Sequence, residues 1–78
     1  MQPFTLRELA MYDGKNGAPA YFAFQGYVYD ASGSFLWRNG RHQARHMAGT
    51  DLTDALDQAP HGTDLIERLP RIGILVQE

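Results

Sequence analysis

The sequence predicts a small α+β domain in which short helices cluster at one end of a small β-sheet. Two runs of aromatic and β-branched residues lie on either side of Gln25-Gly26, and the chain closes on a third apolar run, "RIGILVQ". Short polar segments with helix-capping residues lie before and between these runs. Strands and helices that group apart, without regular alternation, are typical of the α+β class.

Length and composition restrict how such a domain is stabilised. The chain has 78 residues, no cysteine and a formal net charge of −2. We expect one domain over residues 1–78, burying about 60–65% of the surface that the unfolded chain exposes. Domains this small often need a disulfide, a metal or a bound cofactor. The lack of cysteine excludes disulfides and thiolate metal sites, and the balanced charge argues against nucleic acid as a partner.

The amino terminus carries no sign of export or membrane insertion. The stretch "MQPFTLRELA" lacks the apolar run of a signal peptide. Nowhere does the chain approach the ~18 consecutive apolar residues of a membrane span. A cytoplasmic protein without a membrane segment is therefore expected.

The first half of the chain predicts one helix and one hairpin. Thr5 and Glu8 in "TLRE" fit a capping box, which predicts a helix from Leu6 to Met11. The stretch "YDGKNGAP" is a loop, because its glycines and proline interrupt any period. In "AYFAFQGYVYD" two short strands are expected to meet at a turn over Gln25-Gly26.

The second half predicts three short helices and a last strand. After the turn-rich stretch "SGSFLWRNG", helices are expected over residues 41–48, ending at Gly49, over 51–58, ending before Pro60, and over 63–68, starting at Thr63. The stretch "RIGILVQ" predicts the last strand. Helices below about 12–15 residues are marginal in isolation. Either a large apolar ligand or the aromatic side chains must therefore complete the core around them.

The chain's three histidines are the main candidates for chemistry. On the predicted helix, His42 and His46 lie one turn apart and share a face. With a third ligand they could hold zinc, or one of them could bind haem iron. The two axial ligands of haem approach from opposite faces, so a bis-histidine site must include His61. Exposed or hydrogen-bonded histidines without a ligand are the plain alternative.

The segment "AGTDLTDALDQAPHGTD" resembles the second half of cytochrome b5-like haem/steroid-binding domains, with matches at Ala48, Gly49, Asp51, Thr53 and His61. Upstream, "PAYFAFQGYVYDAS" is similar to the hairpin of that family, with matches at Gly26, Val28, Tyr29 and Asp30. The resemblance extends from "FTLREL" to "IGIL". It implies a haem b-binding electron carrier that is not an enzyme. The alternatives are a small-molecule or steroid-binding module of the same fold, and a zinc-binding or structural domain.

One departure from the family concerns its second iron ligand. Trp37 stands where the family has the histidine of His-Pro-Gly-Gly, and tryptophan cannot ligate iron. The membrane-associated progesterone-receptor branch uses the tyrosine of Gly-Pro-Tyr instead, and "NGRH" resembles that stretch if two extra residues are allowed. His42 then takes the tyrosine's place. The resemblance thus implies His42 and His61 as ligands, with His46 as the alternate, Met47 less favoured, or His61 alone in a five-coordinate site.

The residues around the predicted haem are apolar or acidic. Those expected to line it are Trp37, Ala44, Met47, Leu52, Leu56 and Ala59. Between positions 51 and 67 the chain has no Lys or Arg, and its five acidic residues enclose His61: Asp51, Asp54, Asp57, Asp64 and Glu67. These acids form either a solvated face or a docking surface for a basic redox partner.

Overall fold

The computed structural model describes residues 1–33, 41–42, 46–54, 66 and 68–77, with the backbone alone for 41–42 and 46–47. In chain order its elements are β1 (Gln2–Phe4), α1 (Leu6–Leu9), β2 (Tyr21–Phe24), β3 (Tyr27–Asp30), β4 (Arg41–His42), β5 (His46–Met47) and β6 (Arg71–Leu75).

Four of these strands form one mixed sheet in the order β1-β6-β3-β2. β6 pairs parallel with β1 and antiparallel with β3, and β2 pairs antiparallel with β3. The sheet together with α1 confirms the α+β class and the last strand. β1 was not predicted from the sequence: it is three residues long and contains Pro3, and its partner β6 comes from the far end of the chain.

The first helix begins where the capping box predicts. The Thr5 hydroxyl accepts from the Glu8 amide at 3.1 Å, and the Glu8 carboxylate accepts from the Thr5 amide at 3.0 Å. Beyond Ala10 the hydrogen bonds join residues three apart in place of four, such as the bond from the Met11 amide to the Glu8 carbonyl at 3.1 Å. The predicted helix therefore starts correctly and ends two residues earlier than expected.

The turn at Gln25-Gly26 is confirmed as a two-residue hairpin. Gln25 has φ of 50° and Gly26 has φ of 84°, and a positive φ at both central positions defines a type I′ turn. The twist of this turn matches that of the strands it joins, and it sets Phe22 opposite Tyr29 and Ala23 opposite Val28.

The helix predicted over residues 41–48 is wrong. The backbone of β4 instead pairs antiparallel with β5, with Arg41 opposite Met47 and His42 opposite His46. The helix was expected because Gly49 resembles a helix-ending residue, and Gly49 does have a positive φ of 85°. That conformation serves another purpose, since the Gly49 amide donates to the Tyr21 carbonyl on β2 at 2.6 Å.

The other two predicted helices fall only partly on described residues. Helical backbone is present at Thr53 and Asp54, two residues after the expected start, because Asp51 forms a parallel bridge with Ala23 of β2. Helical backbone is also present at Ile66, and the Leu69 amide closes a turn onto the Ile66 carbonyl at 2.9 Å. Residues 55–65, which hold the remainder of both predictions, lie outside the described residues.

The sheet separates two buried clusters. The first cluster consists of Ala20, Phe22, Phe24, Tyr29, Ala31, Ala48, Leu52 and Ile66. The second cluster, on the other face, consists of Phe4, Leu9, Ala23 and Val28, with Tyr12 and Tyr21 packed against it.

The rings of Tyr12 and Tyr21 stack with centroids 4.6 Å apart. Burial raises the pKa of Tyr21, and the Asp30 carboxylate and Tyr12 add to this increase.

Gly73 at the centre of β6 allows the second cluster to pack closely against the sheet. A Cβ at this position would lie 2.3 Å from the Gln2 carbonyl oxygen and 2.6 Å from the Phe4 ring. Phe4 is only 2% exposed and has no room to move away. The backbone of β1 therefore sits where any larger residue at position 73 would place its side chain.

Gly73→Ala is expected to destabilise the fold by about 1–3 kcal/mol, because overpacking a tight core forces side chains and backbone apart. For a domain of this size that corresponds to a fall in Tm of at least about 4 °C, measurable by circular dichroism. Gly33→Ala is the matched control, since a Cβ at Gly33 meets nothing within 4 Å. Equal melting temperatures for the two variants would contradict the close approach of β1 to Gly73.

Candidate cofactor site

Both segments that carry histidines begin and end at the first cluster. Ala31 and Ala48 flank the segment with His42 and His46, and all four of the bounding residues are buried in that one cluster: Ala31, Ala48, Leu52 and Ile66. Leu52 and Ile66 flank the second segment, which contains His61. The fold therefore brings the ends of the two histidine-bearing segments together on one face of the sheet.

Hydrogen bonds along the free edge of β2 hold the chain between these two segments. The Gly49 amide donates to the Tyr21 carbonyl, the Ala23 amide to the Thr50 carbonyl at 3.0 Å, and the Leu52 amide to the Ala23 carbonyl at 2.8 Å. Gly49 is buried here, and a Cβ on it would lie 3.4 Å from the Ala10 backbone. These contacts fix Leu52, only 6% exposed, at the boundary between the sheet and the second segment.

Asp51 and Thr53 fix the direction in which the chain enters the second segment. The Asp51 carboxylate accepts from the Thr53 amide at 3.1 Å and from the Thr53 hydroxyl at 2.6 Å. The Thr53 hydroxyl in turn accepts from the Gln25 amide at 2.8 Å, which joins it to the hairpin turn. This hydrogen-bonded turn at Asp51 and Thr53 was not predicted from the sequence. A short polar side chain two residues before Thr53 is the local signal for such a turn.

An aromatic pair forms the sheet side of the first cluster. Phe22 and Tyr29 stack with ring centroids 5.6 Å apart and planes inclined by 22°. The Tyr29 hydroxyl, on a side chain that is 6% exposed, accepts from the Arg71 guanidinium at 3.3 Å. The same guanidinium lies 4.0 Å from the centroid of the Tyr27 ring. The sheet side of the cluster is therefore aromatic, and the Tyr29 hydroxyl within it receives a hydrogen bond from Arg71.

The backbone places His42 directly opposite His46 on β4 and β5. Directly opposite residues share a face of a two-stranded ladder, with Cβ atoms ~4.5–5.5 Å apart. If a haem were bound here, this pair could therefore supply one of its iron ligands and not both. The same restriction was expected from a helix over residues 41–48, and here it follows from the pairing of β4 with β5.

The remaining predicted site residues are placed unevenly. Leu52 is buried in the first cluster, while Met47 is placed by its backbone at the end of β5. The other predicted lining residues and one ligand lie outside the described residues: Trp37, Ala44, Leu56, Ala59 and His61. The ligand and lining assignments thus stay predictions.

The donors in this chain suit haem iron. Imidazole is a common ligand of haem iron, and the first segment contains two histidines while the second contains His61. The buried residues where the segments join the sheet, Ala48, Leu52 and Ile66, are all apolar, as the environment of a porphyrin requires. Among the side chains that the structure describes, no three acidic or histidine residues group closely enough to hold a metal ion. The histidines of the sequence and the apolar residues at the segment ends therefore fit a haem.

Within the described residues no helix is both long and apolar enough to cross a membrane.

Comparisons with known proteins agree with this geometry. The family model described as "Cytochrome b5-like Heme/Steroid binding domain" matches residues 5–76. A Hadesarchaea cytochrome b5 domain protein has 50% identity and a TM-score of 0.92, over 97% of this chain and 100% of that one. A cytochrome b5 domain protein from Methanococcoides burtonii has 47% identity and a TM-score of 0.92, over 97% and 99%.

A more distant structure shares the fold alone. It is a hypothetical protein from Arabidopsis thaliana with a cytochrome b5 like fold, at 20% identity and a TM-score of 0.74, over 99% of this chain and 93% of that one. No match is found among the curated proteins.

Proposed function

The chain belongs to the cytochrome b5-like heme/steroid binding domain family, and on this basis we propose that it binds haem b between two histidines and carries electrons. The observation that carries the proposal is that both histidine-bearing segments begin and end at residues buried together in the first cluster. In this proposal the haem lies between the two segments and takes one histidine from each.

His61 is the proposed ligand from the second segment and His42 the proposed ligand from the first. His46 is the alternate to His42, because the two residues are opposite each other and only one can take the position. Met47, next to His46 on β5, is the less favoured alternative. His61 acting alone would give a five-coordinate site.

The residues of this chain would bind the cofactor and keep water from it. Leu52 and Ile66 lie at the entrance and exit of the second segment and are 6% and 5% exposed. Bound haem b supplies a reversible one-electron couple, whose potential depends on the axial ligands, hydrogen bonds and burial. If one histidine from each segment held the iron, no position on it would be open to a substrate. The proposed role is therefore that of an electron carrier rather than an enzyme.

Titration of the apo-protein with hemin tests this proposal. We expect absorbance of the bound form to saturate at one equivalent, and the coloured species to elute with the protein on gel filtration. Non-saturating uptake, or hemin that separates from the protein, would instead favour a small-molecule or steroid-binding module of the same fold.

The proposed partner is a basic redox protein that docks on the acidic residues around His61. Asp51 and Asp54 are exposed at the start of the second segment, although Asp51 also holds Thr53. Charged surfaces of this kind speed encounter with an oppositely charged protein and leave the complex short-lived.

Electron transfer to a basic acceptor such as a cationic cytochrome should slow steeply as salt is raised, since exposed charges are screened beyond about 10 Å at 0.1 M. Asp54→Asn with Asp57→Asn should flatten this dependence and leave the haem spectrum unchanged. The charge-matched control is Glu8→Gln with Asp13→Asn, in which each side chain can still accept its present hydrogen bond. A rate that responds equally to both double variants would contradict a localised acidic docking surface.

A further inference from the structure

Asn16 and Gly17 form the centre of an exposed two-residue turn between α1 and β2. The Ala18 amide donates to the Lys15 carbonyl at 3.0 Å, which closes the turn around them. Asn16 has φ of 54° and Gly17 has φ of 87°, so this turn has the same positive-φ pattern as the one at Gln25-Gly26. Both Asn16 and Gly17 are exposed to solvent.

The Gly17 amide nitrogen is free to react. Within the described part of the chain it donates no hydrogen bond, whereas the neighbouring Gly14 amide donates to the Pro19 carbonyl at 3.0 Å. A Cβ built on Gly17 would meet no atom within 4 Å. The space beside this nitrogen is therefore open, and no side chain on residue 17 hinders its approach to the Asn16 side chain.

We propose that Asn16 is a site of spontaneous deamidation in the folded protein. The Gly17 amide loses its proton to base, and its nitrogen attacks Cγ of Asn16. A new C–N bond closes a five-membered imide, and the bond from Cγ to the side-chain nitrogen breaks to release ammonia. Water then opens the imide at either carbonyl, giving aspartate or isoaspartate at position 16. The sequence consumes one water and requires no oxidant or reductant.

Among the described residues, the contact that opposes this reaction is the hydrogen bond that closes the turn. Rotation about the Asn16 backbone toward the imide breaks this bond from the Ala18 amide to the Lys15 carbonyl. The isoaspartate product lengthens the backbone of the turn by one atom, and both products add one negative charge to the formal net charge of −2.

The chain contains a matched comparison for this site. Gln25-Gly26 has nearly the same φ angles, but a glutamine side chain is one methylene longer and would have to close a slower six-membered ring. The backbone of Gln25 is also held, because its N–H donates to the Thr53 hydroxyl at 2.8 Å. Gln25 should therefore stay intact over the time in which Asn16 converts. The presence of Gln25 in its turn also shows that glutamine is tolerated at the first central position, so Asn16→Gln should fold.

The test is incubation of the folded protein at neutral and at mildly alkaline pH, followed by peptide mapping and isoaspartyl methyltransferase labelling. The peptide with Asn16 is quantified separately from the one with Asn39-Gly40. Conversion at position 16 should accumulate with time, faster at the higher pH, and be absent in Asn16→Gln. The same chain held unfolded in denaturant gives the reference rate. Conversion in denaturant without conversion in the folded protein would show that the turn protects Asn16, and would overturn the proposal.

Discussion

His61→Ala should abolish tight haem binding or leave high-spin iron. His61 is the only histidine outside the pair at positions 42 and 46, and that pair can supply one axial ligand at most because its members are directly opposite each other. No other histidine can then reach the second face of the porphyrin. The measurement is the hemin affinity of the variant with the absorption spectrum of whatever complex forms.

The matched controls are the two other histidine variants. His42→Ala should resemble His61→Ala, and His46→Ala should retain a low-spin spectrum. The reverse pattern would exchange the roles of positions 42 and 46 without affecting that of His61. A His61→Ala protein that binds hemin as tightly as the unchanged chain, with the same spectrum, would contradict the proposed site.

Removal of haem should lower the melting temperature of the protein substantially. A ligand that binds only the folded state at 100 times its Kd stabilises that state by about 2.7 kcal/mol. In a domain of 60–100 residues each kcal/mol shifts Tm by about 4–8 °C, so the shift should reach roughly 10 °C or more. Calorimetry or circular dichroism on apo- and holo-protein measures it.

The control for this shift is His61→Ala with and without hemin, which should show little difference. Equal melting temperatures for apo- and holo-protein of the unchanged chain would mean that the first cluster is complete without a cofactor. Phe22, Tyr29, Leu52 and Ile66 would then be sufficient to stabilise that face of the sheet.

Local signals in the sequence predicted those elements whose contacts are local. Thr5 and Glu8 are three residues apart and together cap the helix. Gln25-Gly26 closes a turn between adjacent strands. β1 escaped notice because its strand character depends on β6, which lies at the opposite end of the chain. Three residues that include a proline carry no period from which such a partner could be inferred.

The error at residues 41–48 has a related cause. A positive-φ glycine ends many helices, but it also occurs wherever backbone approaches backbone closely. Gly49 is of the second kind, since it packs on the backbone of Ala10 and donates to Tyr21. Only these tertiary contacts distinguish such a glycine from one that ends a helix. The contacting residues lie 28 and 39 positions before Gly49 in the chain.

The haem hypothesis depends on the family resemblance around His61, because the three histidines alone left zinc, haem and unliganded histidines open. It did not depend on which secondary structure holds His42 and His46. Residues i and i+4 share a face on a helix, and here a strand pairing also sets these two residues opposite each other. The structural role of Asp51 and Thr53 could not be read in the same way, because it depends on the Gln25 amide in another turn.

The central claim is that two histidines hold haem b, and the absorption spectrum of the purified protein tests it most directly. The protein is to be expressed with a supply of haem and measured in its oxidised and reduced states. We predict a red protein with the Soret band and the split α and β bands of low-spin, six-coordinate haem. A colourless protein that takes up no added hemin would contradict the account.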